Sequence, residues 1–509
     1  MKQRIILTLI LIMLILTTAV RAEEAFTNIS DLDGKRIGVQ TGTNFDDMVK
    51  NRLPDAKLLY FNNKADMINA LETGKIDGYA IDEPVVQFEM RHNDRITYIP
   101  EYLDTYDFAY VFPNNETGRE LQAQFNEYLE KTKSSGLLAE IEDKWIRWDE
   151  SQWRLADYSS FPAANGVIHL ATEPLYEPFG FIYNNQPVGY EIDVVVGFCE
   201  AYGYGLEIVS TSYDSILPSI QAGKYEIGAA GLTITDERKE SVLFSDSYFH
   251  GGTVLVVKKA AGTAAGGEKA SFWKGVRESF NKTFIREDRW KLFVNGIIIT
   301  LAITLLSILF GTALGFLLFM LCRNGNPAAN AITGACLWLV QGMPMVVLLM
   351  ILFYVVFGSS SIPGIIVAVI GFTLTFGSSV FGLLRMGVGA VDNGQYEAAY
   401  ALGYSNRRTF FRIILPQAVP HVWEAYKGEI IGLIKATAVV GYIAVQDLTK
   451  IGDIIRSRTY EAFFPLIAVT VIYFGLELLL GLVIEMIRIG TDPKRRKKEA
   501  ILKGVDIHD

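Results

Sequence analysis

Cysteine is scarce in this chain. It occurs three times in 509 residues, as Cys199, Cys322 and Cys336. Only Cys199 falls in the charged first half, so no disulfide framework can form there, and cysteine says little about the compartment. Histidine occurs five times and no nucleophile–base pair stands out. No catalytic residue, metal ligand or cofactor is therefore expected. An excess of positive charge is also missing: the net charge of −9 leaves no basic footprint for nucleic acid. Gly262 and Gly267 sit in a glycine-rich stretch, but Glu268 stands where a phosphate loop requires lysine. No other such loop occurs, so any nucleotide hydrolysis must come from a separate protein. Finally, charge of either sign is absent from residues 328–384, whereas residues 23–160 and 490–509 are rich in it.

That asymmetry divides the chain into a soluble part and a membrane part, consistent with a mean hydropathy of +0.24. At the N-terminus, Lys2 and Arg4 precede an uncharged run from Ile5 to Val20, then Arg21-Ala22 and Glu23-Glu24. This reads as a secretory signal over 1–22, with a retained anchor helix as the alternative. Either way, the residues after Glu23 are expected outside the cytoplasm.

An apolar run of about 20 residues crosses a bilayer. Leu292–Leu321 supplies one, and Ala328–Leu384 supplies two, broken at Gly358–Gly364. Glu429–Gln446, which carries Lys435, supplies a fourth, and Ala462–Ile484, which carries Glu477, a fifth. Ionisable residues at such depth face a bundle interior or an aqueous path, unless they snorkel to an interface. Arg385, Arg407, Arg408 and Arg412 lie between runs three and four, and Lys494–Lys498 lies beyond run five. The positive-inside rule makes both segments cytoplasmic.

The loop between runs three and four reads GQYEAAYALGYSNRRTFFRIILPQAVP, from Gly394 to Pro420. Glu397-Ala398-Ala399 opens a short helical stretch, Gly403 bends the chain, and a second amphipathic stretch from Arg407 is expected to stop at Pro416. This pattern resembles the EAA loop of bacterial ABC importer permeases. QGMPMVVLLM (341–350) and LIKATAVVGYIAVQDL (433–448) are similar to segments of the polar amino-acid permeases, of histidine/glutamine type, although Gln341 replaces that family's usual arginine. The resemblance covers about 290–490. It implies that Glu397, Ala398, Ala399, Gly403 and Pro416 couple the membrane part to a separate ABC ATPase, and that the permease pairs as a homodimer or heterodimer.

In the soluble part, residues 166–258 alternate apolar runs with glycine turns, the pattern of an α/β layer. GVIHLATEPLYEPFGF and GLTITDER within them resemble lobe 1 of the family 3 solute-binding proteins. Residues 23–148 resemble lobe 2 and the closing helices, through SDLDGKRIGVQTGTNF, LETGKIDGYAIDEP and LEKTKSSGLLAEIEDKW. The resemblance implies that Gly231, Thr233 and Arg238 hold an amino acid's α-carboxylate, as helix-start donors beside a guanidinium can. It implies further that Asp82 takes the α-ammonium, that Thr43 and Asn44 add donors, and that Tyr176 and Tyr213 flank the side chain. Glu173 would select a polar or basic side chain, while Gln40 and Ile81 stand near positions that vary with ligand.

Lobe 2 precedes lobe 1, the reverse of the family's order. A circular permutation accounts for this, with the usual termini joined through 149–165 and the chain opened after Lys258; two incomplete tandem domains are the alternative. The expected architecture is a permuted two-lobed α/β domain, a linker and interfacial helix over 259–289, an all-α membrane domain of about five helices over 290–490, and a cytoplasmic tail over 491–509. This describes a multi-pass inner-membrane subunit of an amino-acid importer. An amino-acid-gated channel would not need the loop at 394–420, and a sensor would need an output domain that 491–509 does not supply.

Overall fold

A computed structural model describes residues 26–147, 153, 155–259, 272–358, 360, 362–459 and 463–491. The expected signal at 1–22, most of the Ala/Gly-rich linker and the tail beyond Thr491 lie outside the described residues, as does part of the 149–165 connection.

Thirteen strands fall in the first half among the described residues. They are β1 (Arg36–Gln40), β2 (Lys57–Phe61), β3 (Gly78–Asp82), β4 (Ile96–Phe108), β5 (Val111–Pro113), β6 (Val167–Thr172), β7 (Leu175–Tyr176), β8 (Gly180–Tyr183), β9 (Gln186–Val188), β10 (Gly205–Ser210), β11 (Ile227–Ala229), β12 (Val242–Phe244) and β13 (Phe249–Lys258). One five-stranded sheet runs β2-β1-β3-β13-β4 and the other β10-β6-β11-β5-β12, while β7–β9 form a small antiparallel sheet. The first three strands of each large sheet are parallel, and the fourth in order is antiparallel to both neighbours. The two lobes are thus built on one plan, and each takes its antiparallel strand from the segment that otherwise builds the other lobe.

The chain crosses between lobes twice, at 109–110 and at 245–248, and the two crossings are bonded to each other. Ser245 N–H donates to the Tyr110 carbonyl at 2.8 Å, and Tyr248 N–H to the Phe108 carbonyl at 3.0 Å. Paired crossings make a hinge. The permutation is legible here: β13, which comes after the lobe 1 strands in the chain, completes the sheet of lobe 2. Neither half could cover its sheet alone, because β5 and β13 are exchanged. The closing helices Glu116–Ser135 and Leu137–Trp145 pack on lobe 1, where Phe125 meets Phe198 and the Trp145 indole donates to Asp193 at 2.8 Å. Asn115 caps the first of them by accepting from Gly118 N–H.

In the second half, three helices among the described residues are long and apolar enough to cross a membrane: Trp290–Cys322, Gly364–Gly389 and Phe464–Arg488. The number rises to five if each of two bent pairs is one span. One bent pair, Pro327–Gly342 with Met345–Val356, turns by 109°. The apolar run alone predicts a single crossing element there, but Met343 precedes Pro344 and is held extended at φ −100°, ψ 137°. Helices Trp290–Cys322 and Gly364–Gly389 touch along Gly311 and Gly315; a Cβ at Gly315 would stand 2.5 Å from the Gly377 carbonyl. Lys435 and Glu477, the ionisable residues of apolar runs four and five, pair at 2.9 Å.

In the 394–420 loop, helix Gly394–Ala401 ends at Gly403 in the left-handed conformation, φ +80°. The second stretch does not stop at Pro416. A wide turn over Phe410–Ile414 leads straight into helix Leu415–Ala436. Pro416 sits in the first turn of that helix, where its missing N–H is not needed, so it admits the helix that sequence reasoning has it terminate.

Candidate functional site

The candidate site lies where the two lobes face each other, at the carboxyl ends of their central strands, the usual place for a ligand crevice in an open α/β sheet. Gln40 ends β1, Asp82 ends β3, Glu173 comes directly after β6 and Tyr213 opens the helix after β10. Gln40 Nε2 donates to Glu173 Oε2 across the cleft at 2.9 Å. Asp82 is buried and accepts from Thr253 Oγ1 at 3.1 Å and from the Tyr176 hydroxyl, which comes from the opposite lobe. Arg238 completes the set. It donates to the Thr233 carbonyl at 3.0 Å within its own lobe, and to the Gly42 carbonyl at 2.9 Å in the other. Its second contact on Nη2 is the Tyr213 hydroxyl at 3.5 Å.

Gly42 is demanded by this closeness. Its φ is +84°, and a Cβ there would stand 3.2 Å from the Asp214 side chain of the opposite lobe. Thr43 turns its hydroxyl to the Gln40 carbonyl at 2.7 Å, and Asn44 occupies the N-cap of helix Phe45–Arg52 without a side-chain cap bond. Gly231 forms part of the floor. Its N–H is engaged by Glu191 at 2.8 Å, and a Cβ at its φ of +62° would collide with Tyr176 and Phe108.

Burial sets the electrostatics. It pushes the Asp82 carboxyl up to about 7, against hydroxyl bonds from Tyr176 and Thr253 that favour the charged form. Burial also raises Glu173, opposed by the Lys450 charge and the Gln40 amide. Glu173 is 2% exposed, and its Oε1 has no hydrogen-bond partner. The arrangement places the Asp82 carboxylate on one lobe and the Arg238 guanidinium on the other, across a cleft walled by two tyrosines. That can hold a zwitterion by both its charges.

Sequence reasoning missed a buried ion cluster beside the cleft. Lys64 of lobe 2 pairs with Glu177 of the β7–β8 turn at 2.5 Å and with Glu89 at 3.1 Å, and Tyr79 donates to Glu89 at 2.8 Å. Burial works against the Lys64 charge, but the two carboxylates outweigh it and hold the ammonium above its ordinary value. The one available signal was Lys64 directly after the helix-capping Asn63.

The cleft faces the helical half. Lys224 of lobe 1 is buried there and donates to the carbonyls of Phe357, Ser360 and Ile362, at 3.4, 3.2 and 3.3 Å. Asp66 of lobe 2 pairs with Arg456 at 2.6 Å. At the far end, the 394–420 loop packs Phe410 and Ile414 against Phe319, and Arg323 stacks on Phe410 at 3.9 Å. Its outer surface leaves Glu397, Ala398 and Leu402 exposed, whereas Ala399 is buried.

The profile of bacterial extracellular solute-binding proteins, family 3, matches residues 168–429, beginning in β6. The permease protein TcyL of the L-cystine transport system of Bacillus subtilis (strain 168) is 30% identical over 192 residues, covering 36% of this chain and 79% of TcyL. A permease assigned by name to a glutamine transport system in Rickettsia bellii (strain RML369-C) is 32% identical over 199 residues, 38% of this chain and 90% of that protein. Among solved structures, an amino acid ABC transporter crystallised with histidines has 27% identity and a TM-score of 0.37, covering 43% of this chain and 98% of that one. The chain belongs to the family 3 solute-binding proteins and, through its helical half, to the ABC transporter permeases.

Proposed function

We propose that this chain is the receptor and membrane subunit of an amino-acid importer: it captures an amino acid outside the cell membrane and passes it to its own helices, driven by a separate ABC ATPase. The observation that carries this is the placement of Asp82 and Arg238 on opposite lobes around Tyr213 and Tyr176. A zwitterion engages both charges only when the lobes are closed, so binding energy is converted into closure. In this reading Thr233 and Gly231 frame the carboxylate end, Thr43 and Asn44 line the lobe 2 wall, and Glu173 faces the substrate side chain, favouring polar or basic amino acids.

The arginines at 385, 407, 408 and 412 keep the coupling loop in the cytoplasm and the lobes outside. On that loop, Glu397, Ala398, Ala399, Gly403 and Pro416 shape the surface gripped by the ATPase. The permease works as a homodimer or heterodimer, with a receptor tethered to this chain so that the search is local.

The test is calorimetry on the whole purified chain against a panel of amino acids. Saturable binding of one or a few is expected, and Arg238→Ala should weaken it by about 100-fold, the scale of a lost charge-assisted bidentate contact. Unchanged affinity in that variant would remove the cleft from the mechanism.

A further inference from the structure

Helix Leu448–Thr459 belongs to the helical half, yet it touches both lobes of the receptor. Arg456 holds Asp66 of lobe 2 at 2.6 Å. Leu448, Ile451 and Ile455 pack in one apolar cluster with Leu175 and Ile182, from strands β7 and β8 of lobe 1. An element seated on both lobes at once senses their closure. Between it and the cleft lies a cavity of about 160 Å³ whose walls come from both halves of the chain. Asp66, Glu173 and Asp214 line it from the receptor, and Asp447, Lys450 and Asp453 from the helical side.

Two groups in that cavity are under-used. Glu173 Oε1 is buried and has no hydrogen-bond partner. The Lys450 ammonium makes no hydrogen bond or ion pair with a described residue; its backbone N–H alone is engaged, by Asp447 at 3.1 Å. Lys450 is also the one cation in a wall that carries five carboxylates among the described residues.

Resting on the function proposed above, we infer that Lys450 is a counter-charge supplied by the membrane half, which competes with a cationic substrate side chain for Glu173 when the receptor is docked. The physical logic is one of differential affinity. A receptor that holds its substrate equally well free and docked cannot hand it over, so docking must weaken the bound state. An ammonium lining the same cavity as the carboxylate that holds the substrate side chain does this for basic amino acids and leaves neutral ones nearly untouched. Two cations facing one carboxylate at close range repel through a partly screened medium, which corresponds to about a three- to tenfold change in affinity.

The experiment titrates the whole chain with L-arginine and with L-glutamine, in the parent, Lys450→Met, Glu173→Gln and the double variant. Lys450→Met should tighten L-arginine binding about three- to tenfold while L-glutamine stays within about twofold. Glu173→Gln should weaken L-arginine, and in that background Lys450→Met should have no further effect. L-arginine affinity unchanged by Lys450→Met, while Glu173→Gln still weakens it, would overturn the counter-charge role and leave the receptor reading intact. Equal tightening of both ligands would overturn it too, because that pattern reports a general loosening of docking. A parent chain that binds neither probe nor any other amino acid would instead sink the receptor reading.

Discussion

In the function proposed above the cleft and the 394–420 loop are both contact sites, but they are built oppositely. The cleft buries charge: Asp82 and Glu173 are 1% and 2% exposed, and each is met by a group from the opposite lobe. The loop exposes apolar surface: Leu402 is 77% and Tyr400 48% exposed, on a short helix held in place by Phe410 and Arg323. A small zwitterion has to be stripped of water, so its site must supply buried partners for each charge. A protein partner brings its own area, so its site needs only a rigid platform and exposed apolar anchors. In the proposed function, the contrast separates ligand capture from partner coupling within one chain.

The sharpest way to break this comparison is to damage each end in turn. Arg238→Ala should remove amino-acid binding and leave a co-expressed ATP-binding subunit bound to the chain. Leu402→Glu should do the reverse, cutting co-purification of that subunit at least about tenfold, because a charge replaces an apolar anchor, with calorimetric affinity unchanged. If either substitution moved both readouts alike, the two ends would not be separable sites.

Next in size is a stability effect confined to the cleft. Burial pushes the Asp82 carboxyl of the folded chain up to about 7, from an ordinary value of about 3.8. Between those values the folded chain keeps a proton that the unfolded chain has given up. Stability therefore falls as pH rises from about 4 to about 7, by at most about 4 kcal/mol from this group. Asp82→Asn cannot ionise and escapes that loss. The variant should melt at a higher temperature than the parent at pH 8 and at nearly the same temperature at pH 4, while losing amino-acid binding. Glu191, pushed up to about 7 by the same burial, is present in both proteins and cancels from the difference. A melting difference that is the same at both pH values would mean that Asp82 is not destabilised by ionising.

The two ends also differ in how much of them can be read from the residues. The loop is legible almost whole, since a helix, a bend at Gly403 and a second helix are local events. Only Pro416 misleads, because a proline reads as a stop unless the wide turn at Phe410–Ile414 is known to precede it. In the cleft, Asp82, Glu173, Tyr176, Tyr213 and Arg238 are all legible from short segments. What pairs them is not: the Gln40–Glu173 and Arg238–Gly42 bonds join residues more than 130 positions apart and depend on closure. The Lys64–Glu89–Glu177 cluster stays hidden for the same reason, because a lysine beside an N-cap looks like a solvated helix start until tertiary packing buries it.

The smallest effect expected lies between the two ends, at the seam where receptor meets helices. Lys224 is 9% exposed, donates to three carbonyls of one loop, and stands 4.1 Å from the Phe353 ring. Those carbonyls close the turn between the bent pair and helix Gly364–Gly389, where the Phe357 carbonyl also accepts from Ser360 N–H at 3.1 Å. Burial lowers the lysine's pKa, so docking costs some of the stability of its charge, and the carbonyls and ring offset that cost. Lys224→Ala should therefore loosen the seam without touching the cleft. Uptake should fall about threefold, the scale of one partly buried charge-assisted contact, with substrate affinity unchanged. Hydrogen exchange should rise in the segment around Ile362 and not around Asp82. Faster exchange at both places would show that seam and cleft are one cooperative unit, and that receptor closure is held from below as well as by its ligand.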